Sequence, residues 1–449
     1  MKKNDKLLTK PVGRTIIFLA IPIILASLLQ TVYSLTDTFW VGRLGADSVA
    51  AVSISFPIVF FLMTFIMGLS AAAMIFVSQS FGKGDSKKVN YYASQSIMWI
   101  TFFAIILSII GIIFSKNLIN IFNPTIEVFS QATSYLQISF YGIVFVFMYV
   151  VFTMILRGVG EVKLPLYLVL FTVFLNFLLD PMFVYGFGPI PASGVSGVAW
   201  ATVFTQGIAA ITGLFILIKG NYGVKIEKKY LKFDLFALKK ITKLGFPTAI
   251  ERSLHSIGIL FFTWIVSFYG TIAIASFGIG YKLIMLVLIP SFGLAAAVTT
   301  FMGQNLGANK MKRAEHGGKF GLIWGFITLI VVGGIIFIFA ENFVRFFIPN
   351  DLEVISIASS FAKIIAFGFG FIALHVISSG IYKAAGRTGI SLLFGIIQLI
   401  LLVSFSTITF KLGYGITGLW FAYLFSFIFS GIISFIWYLT GSWKRKSIV

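Results

Sequence analysis

An all-α integral membrane protein, with twelve transmembrane helices in two pseudo-symmetric six-helix lobes, is the architecture this sequence predicts. Three observations carry it. Of 449 residues, 59% are hydrophobic and only 11% charged, and mean hydropathy is +1.01; a soluble domain has about 25% charged residues. The apolar residues fall in runs of roughly 20 or more, the length of a spanning helix and about twice that of a barrel strand. Several special residues also recur at one fixed spacing, half the chain apart. This composition excludes an ordinary soluble enzyme, a disordered regulator and a nucleic-acid module.

The apolar segments lie at about 15–41, 48–80, 90–114, 127–156, 164–184, 195–218, 244–268, 272–304, 319–340, 353–382, 389–410 and 415–440. Several exceed the ~20 residues needed to span, so they are expected to tilt or project beyond the bilayer. The first follows a basic stretch, Met1 to Arg14. It is too long for a signal-peptide core and has no small-residue cleavage site, so it reads as an uncleaved spanning helix. Chain order then divides the protein into an N-terminal lobe (1–218), a linker (219–243) and a C-terminal lobe (244–449). The linker mixes Leu231, Phe233, Leu235, Phe236, Leu238 and Ile241 with lysines. That pattern fits an amphipathic segment lying on a lipid surface.

Net charge is +20, from 34 Lys and Arg against 14 Asp and Glu. With the N-terminus in the cytoplasm, 27 bases fall on the inner side and four on the outer side: Arg43, Lys116, Arg345 and Lys411. The positive-inside rule then sets the orientation, with both termini cytoplasmic, and explains the basic balance without an acidic partner. A plasma membrane is expected, the inner membrane of a bacterium. The chain has no cysteine, which excludes disulfides and thiolate sites.

The repeat appears when the sequence is shifted by 225. Pro22 falls on Pro247, Gly45 on Gly270, Gly68 on Gly293, Gln79 on Gln304 and Gly82 on Gly307. Arg157-Gly-Val-Gly160 resembles Lys383-Ala-Ala-Gly386 at a shift of 226. Six spans is an even number, so both lobes cross the membrane in the same sense, as in transporters built from parallel repeats.

Ionisable residues inside apolar runs are costly and mark function. Three carboxylates qualify: Asp37, Asp180 and Glu251. Asp37 lies about five residues from the outer end of segment 1, and Asp180 about four from that of segment 5; at ~1.5 Å per residue they share a level. Asn176 and Thr172 continue the Asp180 stripe. Gln30, Tyr33, Ser34 and Asp37 share a helical face. Thr202, in segment 6, reaches the same level. Pro181 removes an intrahelical hydrogen bond and frees the Phe177 carbonyl. Carboxylates, an amide and hydroxyls in one place suit Na+ or a proton, and burial beside a like charge favours the protonated carboxyl. Asp37, Asn176, Asp180 and Thr202 are therefore the ligand candidates if the ion is Na+.

Glu251 has Arg252 beside it and Lys282 in the next segment, and one of them is expected as its partner. His255 and His375 read as hydrogen-bonded structural residues. Tyr33, Tyr135, Tyr141 and Trp264 are aromatic candidates for lining a cavity that stacks on flat cations. Gln30, Ser34, Tyr135, Tyr141, Glu251 and Lys282 make up the expected substrate cavity. No H-E-x-x-H, P-loop, G-x-S-x-G or kinase motif is present, so an enzyme is not expected. No cofactor is expected either, and any energy source is an ion or substrate gradient.

The motifs together resemble the multidrug and toxic compound extrusion (MATE) transporters, in their DinF-like branch. The resemblance spans the whole chain. It rests on Ala20-Ile-Pro22, Asp37-Thr-Phe-Trp40-Val-Gly42, Gln79-Ser-Phe-Gly82-Lys-Gly84, Asn176-Phe-Leu-Leu-Asp180-Pro181 and Gly194-Val-Ser-Gly197-Val-Ala-Trp-Ala-Thr202. It implies a MATE/MOP-like fold and an antiporter that exports organic cations, drugs or metabolites by alternating access, coupled to Na+ or H+ influx. It also implies a cation site at Asp37, Asn176, Asp180, Thr202 and Tyr33, with Pro22 as a bending point. Some branches carry an acid where His255 stands, so a second-lobe site is not expected here. The expected partners are small organic cations and membrane lipid, with no nucleic acid, and the expected state is a monomer. The alternative is a flippase for a lipid-linked saccharide precursor, which would call for a more cationic cavity than Arg252, Lys282 and Lys363 provide.

Overall fold

The computed structural model describes residues 6–444 and 448, and these form fourteen α-helices joined by short turns. They are α1 (Lys6–Thr9), α2 (Val12–Gly42), α3 (Ala46–Gly82), α4 (Ser86–Asn120), α5 (Ile126–Val159), α6 (Lys163–Tyr185) and α7 (Val195–Lys219), then α8 (Leu235–Ser267), α9 (Thr271–Gly307), α10 (Met311–Phe347), α11 (Leu352–Ala366), α12 (Phe369–Ala384), α13 (Thr388–Lys411) and α14 (Gly415–Leu439). Lys2, Lys3, Arg445 and Lys446, which entered the charge count, lie outside the described residues. Eleven helices are long and apolar enough to cross a membrane, and twelve spans result when α11 and α12 count as one.

That pair departs from the expected continuous segment at 353–382. The two helices meet at a 55° bend. The break falls at Phe367-Gly-Phe-Gly370, where the Gly368 N–H closes a tight turn onto the Ile365 carbonyl at 2.8 Å; glycines weaken a helix at such a point. A second departure is the start of α8, inside the expected linker. Asp234 accepts hydrogen bonds from Phe236 N (2.8 Å) and Ala237 N (3.4 Å), so it caps a helix that begins about two turns before the apolar run. Asp85, Thr125 and Asp351 cap α4, α5 and α11 in the same way.

The repeat is visible in backbone geometry. Helices α3 and α9 each run 37 residues and start from glycines with φ of 109° (Gly45) and 92° (Gly270). Each is followed by a left-handed residue, Gly84 (φ 78°) or Asn309 (φ 56°), a conformation that glycine and asparagine adopt most cheaply. Within the long helices, a Cβ on Gly68 would meet the Ala249 backbone at 2.3 Å, and one on Gly293 would meet Ile24 at 2.4 Å. Small residues let helices approach this closely. The two contacts are themselves 225 residues apart.

By packing, the described chain divides after Ile24 and after Ala249. One unit holds Leu25–Ala249; the other holds the residues before Leu25 and those from Ile250 on. Helices α2 and α8 are each shared between the units, two residues beyond Pro22 and Pro247. The first unit is built on α3, α4, α5 and α7 around Ile66, Leu136, Phe140, Phe147 and Phe152. The second has an aromatic centre in which Phe361 meets Trp420 (4.6 Å) and Phe262 meets Tyr423 (4.7 Å).

The chain between α7 and α8 is strapped to α4. Gln95 donates to the carbonyls of Tyr230 and Lys232, both at 2.7 Å, and Tyr91 donates to the Asp234 carboxylate. Asn90 donates to Glu227 at 2.6 Å. Phe233 lies edge-on to Trp99 and Phe102. Leu231, Phe233, Leu235 and Phe236 nevertheless remain exposed, while Ile241 is buried.

Candidate functional site

Helices α2, α6 and α7 of the first unit bring the predicted acids together. Asn176 and Asp180 lie one turn apart on α6, and both are fully buried. Helical spacing lets Asn176 Nδ2 donate to Asp180 Oδ1 at 2.9 Å. Thr172, one turn earlier, is buried with its hydroxyl on the Val169 carbonyl. Helix α6 continues through Pro181 to Tyr185. Asp37 enters from α2, as a direct electrostatic neighbour of Asp180 and Asn176. Its Oδ2 accepts a long hydrogen bond, 3.4 Å, from Thr202 on α7.

Tyr33, one turn before Asp37, is buried and shares a 2.7 Å hydrogen bond with Thr205. The Thr205 hydroxyl also reaches the Ala201 (2.9 Å) and Thr202 (3.0 Å) carbonyls, so its proton is directed to the backbone and Tyr33 is the donor to it. Thr205 was missed at the sequence level, although it lies three residues after Thr202 on the same side of α7. Tyr135 of α5 also borders both acids. Trp40 packs against Phe177 and Tyr185, and Val41, Val184 and Val198 form a small apolar cluster beside it.

Three oxygens in this group are buried and accept no hydrogen bond: Asp37 Oδ1, Asp180 Oδ2 and Asn176 Oδ1. Acceptors without donors are expensive in an apolar setting. Their surplus of negative charge and oxygen lone pairs is a donor set for a hard monovalent cation, or for protons.

Other predicted residues fall elsewhere. Gln30 and Ser34 are exposed on α2, with Ser34 bonded back to the Gln30 carbonyl. Tyr141 is 53% exposed, on a different face of α5 from Tyr135. Trp264 is exposed between Phe261 and Phe268. Pro22 lies in the half of α2 that belongs to the second unit.

Glu251 has a different partner from those expected. It pairs with Lys383 of α12 at 2.9 Å and accepts from Ser379 (2.7 Å) and Ser391 (2.6 Å). Lys282 is exposed and sits over the Phe347 ring at 5.4 Å, where the helix ladder of α9 has carried it away from Glu251. Lys383 could have been flagged by the repeat, since it matches Arg157. His375 bonds Ser430 at 2.6 Å, while His255 Nε2 is buried without a partner. A groove of about 410 Å³ between α13 and α14, lined by Phe405, Ile408, Tyr414, Phe421 and Phe425, holds none of these polar residues.

Comparison with known proteins agrees with this architecture. The MatE family model matches residues 22–182 and 247–408, once in each half. A probable multidrug resistance protein of Bacillus subtilis, YpnP, is 30% identical over 97% of this chain and 96% of its own length. An FAD transporter of Shewanella oneidensis is 24% identical over 90% of this chain and 89% of its own. A solved structure, described as the outward-facing conformation of a multidrug resistance MATE family transporter of the MOP superfamily, superposes with a TM-score of 0.91 at 23% identity, covering 98% of each chain. With two family matches in register with its own internal repeat, the chain belongs to the MatE family of multi-span membrane transporters.

Proposed function

We propose that the chain is a secondary antiporter that exports small organic solutes, organic cations and drugs among them, across the bacterial cell membrane in exchange for entry of Na+ or H+. One observation carries this reading. Asp37, Asp180 and Asn176 present three buried, unpartnered oxygens inside spanning helices. No base is bonded to either acid among the described residues, so a cation from solution is the natural counter-charge. Thr202 would complete the ligand set, and Tyr33, fixed by Thr205, would orient α2.

Loading the site changes the balance between conformations only if one conformation binds the ion better. Neutralising two adjacent carboxylates removes their mutual repulsion, which favours a state in which α2 and α6 close on the ion. Pro22 provides a point at which α2 can bend, because proline lacks the N–H that would lock that turn. The charge bias of the loops supports cytoplasmic termini, and in that orientation the ion enters from outside and the solute leaves. The protein acts as a monomer in this scheme and needs no cofactor. The names of its relatives cover both multidrug resistance and FAD transport, so the transported solute is set by the residues lining the path rather than by the fold.

Proteoliposomes loaded under a sodium gradient alone, or a pH gradient alone, test the reading with a fluorescent organic cation. One gradient should drive uptake against concentration in the wild type, and Asp37→Asn should abolish it. If neither gradient moves this dye or a zwitterionic one, and the variant matches the wild type, the antiporter reading falls and lipid flipping takes its place.

A further inference from the structure

The second unit carries a polar cluster of the opposite sign to the first. Glu251 is fully engaged: Lys383, Ser379 and Ser391 all bond its carboxylate. That pair is close to neutral. Arg252, the next residue, is a third charge with no acid of its own. Its Nε is buried without a hydrogen bond, and its guanidinium lies over the Phe292 ring at 5.6 Å. Glu251, already bonded to Lys383, lies within electrostatic reach of it, as do Lys383 and His255. His255, one turn along α8 on the same side, adds a buried Nε2 without a partner. The group therefore sets an arginine and a lysine against one carboxylate, and its unsatisfied atoms belong to basic residues.

Arg252 is half-buried, and a guanidinium with a buried, unpartnered Nε inside a spanning helix is a costly arrangement. A ring face supplies part of the missing counter-charge. A carboxylate or phosphate supplies all of it, since the guanidinium fork matches both groups and charge-assisted hydrogen bonds are the strong ones.

We propose that Arg252, backed by Lys383 and His255, binds an acidic group of the transported solute, so that the preferred substrates are zwitterions or organic anions rather than simple cations. This rests on the export reading and narrows its substrate class. Glu251 holds Lys383 in place and limits the positive charge that the acidic group meets. A purely cationic solute meets a like charge at Arg252 and gains nothing from this unit.

A matched pair of dyes tests the assignment: rhodamine B, which carries a free carboxylate, and its ethyl ester, which does not. Binding of each to the purified full chain is followed by fluorescence anisotropy, and transport of each in phosphatidylcholine vesicles. The wild type should favour the carboxylate dye. Arg252→Gln should lower the carboxylate-to-ester preference about tenfold, the loss of one charge-assisted contact, while the ester is still bound. Glu251→Gln should move the preference the other way, because it removes the opposing charge. Ester binding, with an unchanged elution profile, shows that each variant is folded; if Arg252→Gln fails that check, Arg252→Lys replaces it and should lose part of the preference. An equal preference in the wild type, an unchanged ratio in the arginine variant, or a fall in Glu251→Gln overturns the proposal. Displacement of the dye by phosphatidic acid, but not by inorganic phosphate, overturns the assignment to a solute in favour of a lipid headgroup. Binding needs no gradient, so these results stand apart from the Asp37→Asn transport result.

Discussion

Thr205 decides how the first acid is presented. Its hydroxyl proton goes to the backbone carbonyls of Ala201 and Thr202, and its lone pair takes the Tyr33 phenol, so α2 and α7 are joined one turn from Asp37. Thr205→Val keeps the shape and deletes the acceptor. The expected loss is about 1 kcal/mol, the scale of a single buried hydrogen bond between membrane helices. A thermal-shift series should show it, together with weaker cation coupling and unchanged dye binding; an unaltered coupling profile would show that Tyr33 is held by other means. The acids of this site were legible in the sequence because a charge stands out in an apolar run. Thr205 was not, since a threonine in a membrane helix is usually satisfied by its own backbone. Glu251 was legible too, but its partner was not. Depth along a helix can be counted from sequence, whereas the azimuth that sends Lys282 toward Phe347 and Lys383 toward Glu251 is set by packing.

Helix α4 works as a clamp for the chain that leads into α8. Tyr91, Gln95 and Trp99 lie at steps of four, and all three reach residues 230–234. The sequence showed this stretch as apolar residues among lysines, which is why a lipid-surface reading came naturally; the side-chain bonds from a helix more than 130 residues away in sequence are not a local pattern. The Tyr91 hydroxyl, with the first amides of α8, holds the Asp234 carboxyl below the ordinary carboxylate range, and Lys229 with Asn90 does the same for Glu227. A depressed carboxylate stabilises the folded form at neutral pH, and that stabilisation is lost as pH falls through the folded-state value. The strap should therefore be tight at pH 7 and loosen below about pH 4. Hydrogen exchange of the amides at 226–238 should report this, and Gln95→Ala should raise the exchange at pH 7. Equal protection in wild type and variant would mean that the Gln95 bonds are not what holds the strap.

At the scale of the whole molecule, one frame is used twice and furnished differently. Helix starts, left-handed turns and the Gly68 and Gly293 contacts repeat at 225, so the duplication was legible from a few glycines and prolines. The chemistry does not repeat. The position equivalent to Asp37 is Phe262, buried among Phe277, Trp420 and Tyr423, with no carboxylate to ligate a cation. Glu251, the carboxylate the sequence places well inside an apolar segment of the second unit, already has a lysine. A single cation site, in the first unit, is therefore expected on the antiporter reading proposed above. Anything that binds the folded state alone stabilises it by mass action, about 2.7 kcal/mol at a hundredfold excess over Kd. Wild-type protein should thus gain a saturable thermal stabilisation from Na+ or from mild acid, Asp37→Asn should lose all of it, and Glu251→Gln should keep it. A residual cation response in an Asp37→Asn, Asp180→Asn double variant would place a second site in the second unit and overturn this division of labour, whereas its complete loss would leave the two units with separate tasks, one for the driving ion and one for the solute.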